Sequence, residues 1–380
     1  MEFIDLKAQY ARIAPSLRRR MDAVLAHGQY ILGPEVRELE ESLARYVGVK
    51  HCLACSSGTD ALVMPLMAWG IGPGDAVFCP PFTFVATAEA AALVGATPVF
   101  VDVDPKTFNM DPEALGRAVR RVKSGDRPSP GSPPGLKARA VIPVDLFGLP
   151  ADHDAIGAVA REEGLLVLED AAQGFGGVYK GRKAGSFGHA GATSFFPAKP
   201  LGCYGDGGAV FTDDDALIDV LRSIRVHGQG ADKYENVRTG MNGRLDTLQA
   251  AILLAKVEIF DDEVARRRKV AAIYSKGLKD VVEVPVVPEG SLSVWAQYSI
   301  LTDRPGEAMS RLKTDGIPTA VYYPKPLHLQ KAFAALGHRE GDFPVSEKLS
   351  RRVFSLPMHP YLTPADQEKI IAAVRRAVGA

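Results

Sequence analysis

The sequence lacks the features that mark secreted, membrane-spanning or nucleic-acid-binding proteins. Its 380 residues include only four cysteines, too few for a disulfide scaffold, and no apolar run is long enough to span a bilayer. The N-terminus has no basic stretch followed by an apolar one, as a secretory signal would, so we expect a cytoplasmic protein. The 45 basic and 45 acidic residues cancel, which predicts neither nucleic acid nor membrane as a partner.

Two of the cysteines have the spacing of a metal or redox motif. Cys52 and Cys55 form a C-x-x-C pattern beside His51, which suits zinc or redox chemistry. No second pair completes a zinc site, and Leu53 and Ala54 continue an apolar strand pattern. We therefore interpret both cysteines as packed thiols and predict no metal.

Strand and helix patterns alternate along most of the chain. The apolar runs typical of buried parallel strands lie at 51–55, 76–79, 98–103, 140–144 and 165–168. Helices are predicted at 244–260 and 261–278, followed by short mixed elements. This order indicates an α/β protein with a mostly parallel central sheet flanked by helices in residues 1–260, and a smaller C-terminal α+β domain in 261–380.

A lysine flanked by prolines follows another predicted strand, at 191–196. Lys199 stands between Pro197 and Pro200, which stiffen the backbone on both sides, and a glycine-rich turn at 202–208 comes next. Desolvation at the end of an apolar strand lowers the pKa of a lysine, as an amine nucleophile requires. The pattern by itself also fits an ordinary surface lysine, so the interpretation depends on the partners of Lys199.

Two other strand ends offer such partners. The first runs into Ser57, Gly58 and Thr59 at a predicted helix start, which forms either an anion site or a plain N-cap. The second ends at Asp170, a carboxylate suited to a metal, to general base catalysis or to pairing with a ring nitrogen. Neighbouring His and Cys ligands are lacking, which argues against a metal. With Phe84 as an aromatic face, these groups and the lysine together fit pyridoxal 5′-phosphate.

Six segments carry a resemblance to a known family. They are Ser57-Gly-Thr59, Asp170-Ala-Ala-Gln173, Ser194-Phe-Phe-Pro-Ala-Lys-Pro-Leu-Gly202, Gly205-Asp-Gly-Gly208, Arg225-Val-His-Gly228 and Asn242-Gly-Arg-Leu-Asp-Thr-Leu-Gln-Ala-Ala251. Through them the chain resembles the DegT/DnrJ/EryC1/StrS sugar aminotransferases over nearly its whole length. Within that family it looks most like the UDP-2-acetamido-2-deoxy-3-oxo-glucuronate aminotransferases, with further likeness at 3–7, 27–36 and 355–361.

The resemblance implies the type I aminotransferase fold and a homodimer with shared active sites. It makes Lys199 the catalytic residue that forms a Schiff base with pyridoxal 5′-phosphate, and Asp170 the partner of the pyridine nitrogen. By the same resemblance, Gln173 lies against the ring or its hydroxyl group, and Phe84 stacks on the ring. The residues that hold the phosphate are Gly58, Thr59, Ser194 and, from the other subunit, Asn242.

The resemblance also implies a nucleotide-sugar site beside the cofactor. Its matching positions are Gly28, Tyr30, Ala198, Arg244, Tyr322 and Tyr323. Two of these depart from the family pattern, because close relatives usually carry Ser or Thr in place of Ala198 and often His in place of Tyr322. A proline-rich insert at 123–135 is a third departure, which we interpret as a mobile surface loop without chemistry.

The function implied is that of a PLP-dependent aminotransferase. It would move an amino group from L-glutamate to a nucleotide-linked keto-sugar, at C3 of UDP-2-acetamido-2-deoxy-3-oxo-glucuronic acid, in surface polysaccharide or lipopolysaccharide (O-antigen) synthesis. Arg244 then either pairs with the uronate carboxylate or has a structural role. The alternatives are an aminotransferase for another keto-sugar, a sugar dehydratase, in which histidine replaces the lysine, and a non-catalytic binding protein.

Overall fold

The computed structural model describes residues 1–232 and 234–379. The strands of this part are β1 (His51–Cys55), β2 (Asp75–Cys79), β3 (Thr97–Phe100), β4 (Lys137–Val141), β5 (Leu166–Asp170), β6 (Val178–Tyr179), β7 (Arg182–Lys183), β8 (Ala190–Ser194), β9 (Gly208–Thr212), β10 (Ser291–Leu292), β11 (Tyr298–Leu301) and β12 (Val353–Leu356). The helices are α1 (Leu6–His27), α2 (Pro34–Val47), α3 (Gly58–Ala68), α4 (Ala86–Leu93), α5 (Pro112–Lys123), α6 (His153–Glu163), α7 (Asp215–Arg225), α8 (Thr247–Leu278), α9 (Pro305–Thr314), α10 (Pro344–Arg352) and α11 (Pro364–Val378). None of these helices is long and apolar enough to cross a membrane.

Seven strands form the central sheet, in the order β1-β9-β8-β5-β4-β2-β3. The pairs β2–β3, β2–β4, β4–β5 and β5–β8 are parallel, whereas β9 runs against both of its neighbours, β8 and β1. The prediction of a mostly parallel α/β sheet is therefore confirmed. The carboxyl ends of β1, β2, β5 and β8 meet at one edge, which is where open sheets of this type bind their ligands.

Helices cover both faces of the sheet because alternate residues of a strand point to opposite sides. In β1, Leu53 and Cys55 pack in the same core cluster as α3 and α7, whereas Cys52 and Ala54 pack with α2 and α8. Leu39 of α2 is fully buried there, which stabilises the fold by about 1.5–3 kcal/mol. All four cysteines are free and buried, as expected for packed thiols.

One helix, α8, runs without interruption through 32 residues. The prediction of two separate helices, at 244–260 and 261–278, is therefore wrong. No glycine or proline lies near the expected break, and Asp262 pairs with Arg266 one turn further on (2.8 Å), a contact that supports a continuous helix. The helix crosses the predicted domain boundary, and the division of the chain at that point stays a prediction.

The C-terminal part of the chain packs around the second half of α8. There β11 and β12 form an antiparallel pair, and α9 and α11 share a core cluster with them. Tyr274 of α8 and Tyr298 of β11 are completely buried in this core, with ring centres 5.1 Å apart. These elements are the short mixed strands and helices expected after residue 278.

The proline-rich segment at 123–135 packs onto the protein at its centre. Ser129 and Ser132 are buried, and Gly131 donates its N–H to the carbonyl of Leu336 (2.9 Å). A Cβ at Gly131 would lie 1.9 Å from the carbonyl oxygen of Ala335, so only glycine allows this approach. The centre of the segment thus differs from the surface loop predicted, because contacts with a distant part of the chain hold it.

Candidate active site

The sheet topology brings the predicted cofactor-binding residues to one edge. Gly58 and Thr59 follow β1, Phe84 follows β2, Asp170 ends β5, Ser194 ends β8, and Lys199 lies in the loop after β8. These residues are far apart in the sequence, and they converge because the strands that carry them end on the same side of the sheet. The prediction of one site built from several strand ends agrees with this arrangement.

The loop that carries Lys199 is held by a second lysine. The backbone N–H of Lys199 donates to the carbonyl of Phe196 (2.8 Å), and Lys256 of α8 donates from Nζ to the carbonyl of Gly202 (2.5 Å). Burial lowers the pKa of the Lys199 amine, and the carboxylate of Asp170 offsets part of that effect. The resulting pKa is below the ordinary lysine value, as an amine nucleophile requires.

Asp170 is buried, and both of its carboxylate oxygens are hydrogen-bonded. Oδ2 accepts from the hydroxyl of Thr87 (2.8 Å), and Oδ1 accepts from the N–H of Ala172 (3.2 Å). Burial raises the pKa of Asp170, and the two hydrogen bonds together with the charge of Lys199 partly offset the rise. A protonated ring nitrogen would supply a counter-charge that favours the ionised form of this acid.

Thr87 contacts Asp170 directly, and sequence analysis did not identify it. It lies in α4 with no exposed surface, and its N–H donates to the carbonyl of Phe84 one turn earlier (3.3 Å). Most of its neighbours in α4 are alanines, and a buried hydroxyl in such a helix needs a partner. Thr87 lies three residues, about one helical turn, after Phe84, and this spacing could have placed it near the predicted aromatic face.

A chain of hydrogen bonds joins Gln173 to a tyrosine from the C-terminal part of the protein. Gln173 accepts the N–H of Phe147 at Oε1 (3.0 Å) and donates from Nε2 to the hydroxyl of Tyr323 (3.2 Å). The ring of Tyr323 lies 6.4 Å from that of Phe84, which is 53% exposed and presents a surface for a planar ring. Burial raises the pKa of Tyr323, so its hydroxyl keeps a proton that it can donate to a ligand.

The turn after β1 combines a helix cap with a close approach of two strand ends. The hydroxyl of Ser57 accepts the N–H of Asp60 (3.0 Å), so the N-cap alternative is confirmed for this residue. At Gly58 a Cβ would lie 2.5 Å from the Cβ of Ser194, so glycine is required here. With Thr59 in its first turn, α3 presents its N-terminus at the site, which favours a phosphate.

Three of the predicted nucleotide-sugar residues lie near the start of α8 or at the end of α1. Gly28 ends α1 with a positive φ of 68°, and the carbonyl of Tyr30 accepts the N–H of Thr247 (2.9 Å). Arg244 pairs through its backbone with Cys55 at the end of β1. Its Nε is buried without a hydrogen-bond partner among residues 1–232 and 234–379. This nitrogen is a hydrogen-bond donor without an acceptor, and a contact of Arg244 with the carboxylate or phosphate of a ligand stays a prediction.

The other predicted positions lie in three places. Ala198 is half-buried next to Lys199, and Tyr322 is half-buried with its ring centre 5.9 Å from that of Tyr323. Asn242 is exposed, two residues before Arg244. Its contact with a phosphate in a second subunit stays a prediction.

The amine of Lys199, the carboxylate of Asp170 and the turn at Gly58 together fit pyridoxal 5′-phosphate. An amine with a lowered pKa suits an aldehyde, and a buried carboxylate suits a protonated ring nitrogen. Gly58 lies so close to Ser194 that no Cβ fits between them, which brings the Ser194 side chain to the N-terminus of α3, an end that favours a phosphate. Lys199, Asp170 and Gly58 would therefore hold the aldehyde, the ring and the phosphate.

Comparisons with known proteins agree with this chemistry. Residues 12–375 match the DegT/DnrJ/EryC1/StrS aminotransferase family. The UDP-2-acetamido-2-deoxy-3-oxo-D-glucuronate aminotransferase of Pseudomonas aeruginosa is 50% identical over 375 residues, which are 98% of this chain and 99% of that protein. The crystal structure of a DegT DnrJ EryC1 StrS aminotransferase from Brucella abortus has 54% identity and a TM-score of 0.95 over 100% of both chains. That of NtdA from Bacillus subtilis, with bound cofactor PMP, has 28% identity and a TM-score of 0.87 over 100% of this chain and 83% of that one.

The family match extends over nearly the whole chain and includes every segment that builds the site. The predicted fold, cofactor and class of reaction are confirmed, and Lys199 is present where the dehydratase alternative expects histidine. The chain therefore belongs to the DegT/DnrJ/EryC1/StrS family and is a pyridoxal-phosphate-dependent aminotransferase of nucleotide sugars.

Proposed function

We propose that the enzyme transfers an amino group from L-glutamate to C3 of UDP-2-acetamido-2-deoxy-3-oxo-D-glucuronate, for surface polysaccharide or lipopolysaccharide synthesis. We assign the preference for a uronate to Arg244, because its Nε is buried without an acceptor in the described part of the chain and its backbone pairs with Cys55, just before the phosphate turn. A guanidinium binds a carboxylate through two parallel, charge-assisted hydrogen bonds. The 50% identity with the Pseudomonas enzyme supports the same substrate.

Lys199 performs the central tasks of the proposed reaction. Its amine, whose pKa burial lowers, would hold the cofactor at its aldehyde and, when free, would act as the base and acid that moves a proton at the substrate carbon. Pyridoxal 5′-phosphate, when bound, acts as an electron sink for this chemistry. Asp170 would hold the protonated ring nitrogen, and Gln173 and Tyr323, joined by a hydrogen bond of 3.2 Å, would orient the ring.

Two copies of the chain are proposed to share their active sites. Four large apolar side chains in or next to the segments that build the site are about half exposed in the single chain: Tyr30, Ile31, Phe84 and Phe196. Covering such surface is favourable, at about 25 cal/mol per Å². We propose that a second copy covers these side chains and that its Asn242 completes the phosphate site. The four free, buried cysteines support a cytoplasmic location, since thiols persist in a reducing compartment.

A matched pair of substrates tests the uronate. The purified enzyme is assayed with L-glutamate and either the proposed 3-oxo-uronate or the same UDP-linked 3-oxo sugar with a hydroxymethyl group in place of the carboxylate. We expect the wild type to prefer the uronate. Arg244→Gln should lower kcat/KM for the uronate about ten- to hundredfold, since the lost charge-assisted bonds are worth about 1.5–3 kcal/mol, and should hardly affect the other sugar.

The control is Arg222→Gln, which removes an exposed guanidinium that pairs with Asp219 (3.0 Å) within α7. It should leave both rates unchanged. Equal turnover of the two sugars by the wild type would contradict the uronate proposal, and so would an equal loss on both sugars in the Arg244 variant. Sedimentation of the active enzyme as a single chain would contradict the shared active sites.

A further inference from the structure

A cluster of three buried titratable residues lies behind the active site. Asp145, His153 and Glu169 each place one nitrogen or oxygen atom within 4.8 Å of the other two. Asp145 and Glu169 have no exposed surface. We call these three residues the Asp145 cluster; the steps assigned above to Lys199 and Asp170 do not use them.

One carboxylate oxygen of Asp145 is well bonded and the other is not. Oδ1 accepts the N–H of Ala151 and faces Nε2 of His153, each at 2.9 Å. Oδ2 is buried and has no hydrogen-bond partner in the described part of the chain. A buried carboxylate oxygen without a donor is costly, so a donor hydrogen is expected next to Oδ2.

Glu169 can supply that hydrogen. Burial and the adjacent Asp145 carboxylate hold the pKa of Glu169 well above its ordinary range. Two neighbouring carboxylates without access to water cannot both be ionised at moderate cost. The N–H groups of Gly185 (2.6 Å) and Phe187 (2.8 Å) each bond one oxygen of Glu169 and fix its position. A protonated Glu169 that donates to Asp145 therefore satisfies the cluster.

The Asp145 cluster is joined to the ring-binding residues through the backbone. Asp145 donates its N–H to the carbonyl of Asp170 (3.0 Å), and the same turn donates the N–H of Phe147 to Gln173 (3.0 Å). Gly174 packs directly on Asp145, since a Cβ at Gly174 would lie 2.3 Å from the Cβ of Asp145. A displacement of Asp145 would therefore shift both Asp170 and Gln173.

We propose that the Asp145 cluster positions Asp170 and Gln173 against the cofactor and that its Glu169 is a neutral carboxylic acid. The charge state of Glu169 matters because Asp170 already responds to its charged neighbours: the negative charge of Asp145 raises the pKa of Asp170, and the positive charge of Lys199 lowers it. An ionised Glu169 would add a second negative charge to that of Asp145 and would further disfavour the ionised Asp170 that the ring nitrogen needs. This inference rests on the role proposed for Asp170 and not on the identity of the sugar.

A divalent cation is the other occupant that such a cluster suits. Both oxygens of Glu169 already accept backbone hydrogen bonds, and Nε2 of His153 stands at hydrogen-bond distance from Asp145 (2.9 Å). A metal would have to displace these contacts, whereas a proton keeps them all. The geometry therefore favours the proton.

Two substitutions in the holoenzyme separate charge from position. Glu169→Gln replaces a neutral acid with a neutral amide that can still donate to Asp145, although it can accept only one of the two backbone N–H bonds. Because no charge changes, the pH midpoint of the bound cofactor's absorbance should match the wild type. Asp145→Asn removes the negative charge and alters the turn. We expect the altered turn to displace Asp170 and Gln173 and so to raise the cofactor Kd about tenfold, even though the lost charge by itself favours the ionised form of Asp170. The midpoint should move to lower pH by about half a unit, because a lost negative charge disfavours the protonated chromophore.

Glu347→Gln is the matched control. Glu347 is also a buried carboxylate bonded to a histidine, His328 (3.0 Å), but it lies outside the Asp145 cluster and the cofactor site. Its substitution should leave both readouts unchanged. No sugar enters these measurements, so an error in the proposed substrate would not affect them.

Three results would overturn the proposal. The first is an absorbance midpoint that moves as far in Glu169→Gln as in Asp145→Asn, because such a shift would mean that Glu169 is charged in the wild type. Another is wild-type behaviour in both readouts for Asp145→Asn. The third is one equivalent of a divalent metal per wild-type chain that is lost in both variants. If Asp145→Asn does not fold, infrared spectroscopy decides: the wild type should show a carboxylic acid band that Glu169→Gln lacks, and its absence from the wild type would exclude the neutral acid.

Discussion

Removal of the Thr87 hydroxyl isolates how the fold controls the acid that faces the cofactor ring. Thr87→Val keeps the shape of the side chain and deletes the hydroxyl that donates to Oδ2 of Asp170 (2.8 Å). Thr87 has no exposed surface and Asp170 only 5%, so water has little access to replace the lost donor. The substitution thus removes one hydrogen bond from a carboxylate whose ionisation burial already opposes.

The size of the effect follows from the type of hydrogen bond. A bond to a charged group is worth about 1.5–3 kcal/mol, which corresponds to a factor of about ten to a hundred in an equilibrium constant. The bond from Thr87 lowers the pKa of Asp170, so its loss raises that pKa further and weakens pairing with a protonated ring nitrogen. We expect Thr87→Val to bind pyridoxal 5′-phosphate about ten- to hundredfold more weakly.

The assay titrates each apoenzyme with the cofactor and follows the absorbance of the bound form. Thr87→Ser keeps the donor and should bind nearly as tightly as the wild type. Thr83→Val is the matched control, because the Thr83 hydroxyl lies 3.3 Å from that of Thr87 and makes no hydrogen bond to Asp170 in the described structure. An unchanged Kd in Thr87→Val, or equal losses in the Ser and Val variants, would refute the reasoning.

Three further predictions concern the lysines and the insert. Borohydride reduction of the holoenzyme should attach the cofactor to Lys199, and mass spectrometry that finds it on another lysine would contradict the assigned role. Burial lowers the pKa of Lys256 from 10.5 to about 8, so between these values the unfolded chain binds one more proton. The stability of the wild type relative to Lys256→Met should then rise by about 1.4 kcal/mol per pH unit in denaturant titrations over that range, and a constant difference would rule this out. Gly131→Ala should lower the free energy of unfolding by about 1–3 kcal/mol through its clash with Ala335, whereas Gly306→Ala, with open space around its Cβ, should not; equal effects would show that the insert is not held there.

Features carried by single segments of the chain were readable from the sequence. Lys199 between two prolines, Gly58 at a helix start and Asp170 at the end of an apolar run each follow a strand pattern. Because parallel strands end at a common edge, the convergence of these three residues could be predicted without coordinates. The structure places all three at that edge of the central sheet. The family resemblance added Gln173, Ser194 and the aminotransferase reaction, which no local pattern specifies.

Features that depend on contacts between distant segments were not readable. Nothing around Thr87 names Asp170 as its partner, and nothing around Gln173 names Tyr323. The Asp145 cluster comes from a loop, a helix start and a strand that are adjacent only in the folded chain. The insert at 123–135 has a composition typical of a loop, yet Ser129 and Ser132 at its centre are buried and Gly131 is held by Leu336.

The sequence by itself determined which chemical groups are available, where strands end and how elements alternate, since these follow from periodicity and residue type over a few positions. The tertiary structure alone decided which of those groups touch. Burial and the charge of Asp170 shift the pKa of Lys199, whereas burial, two hydrogen bonds and neighbouring charges shift that of Asp170, and all of these depend on how separate elements pack. The same packing made α8 one helix, because side chains from both halves of the protein bury against it.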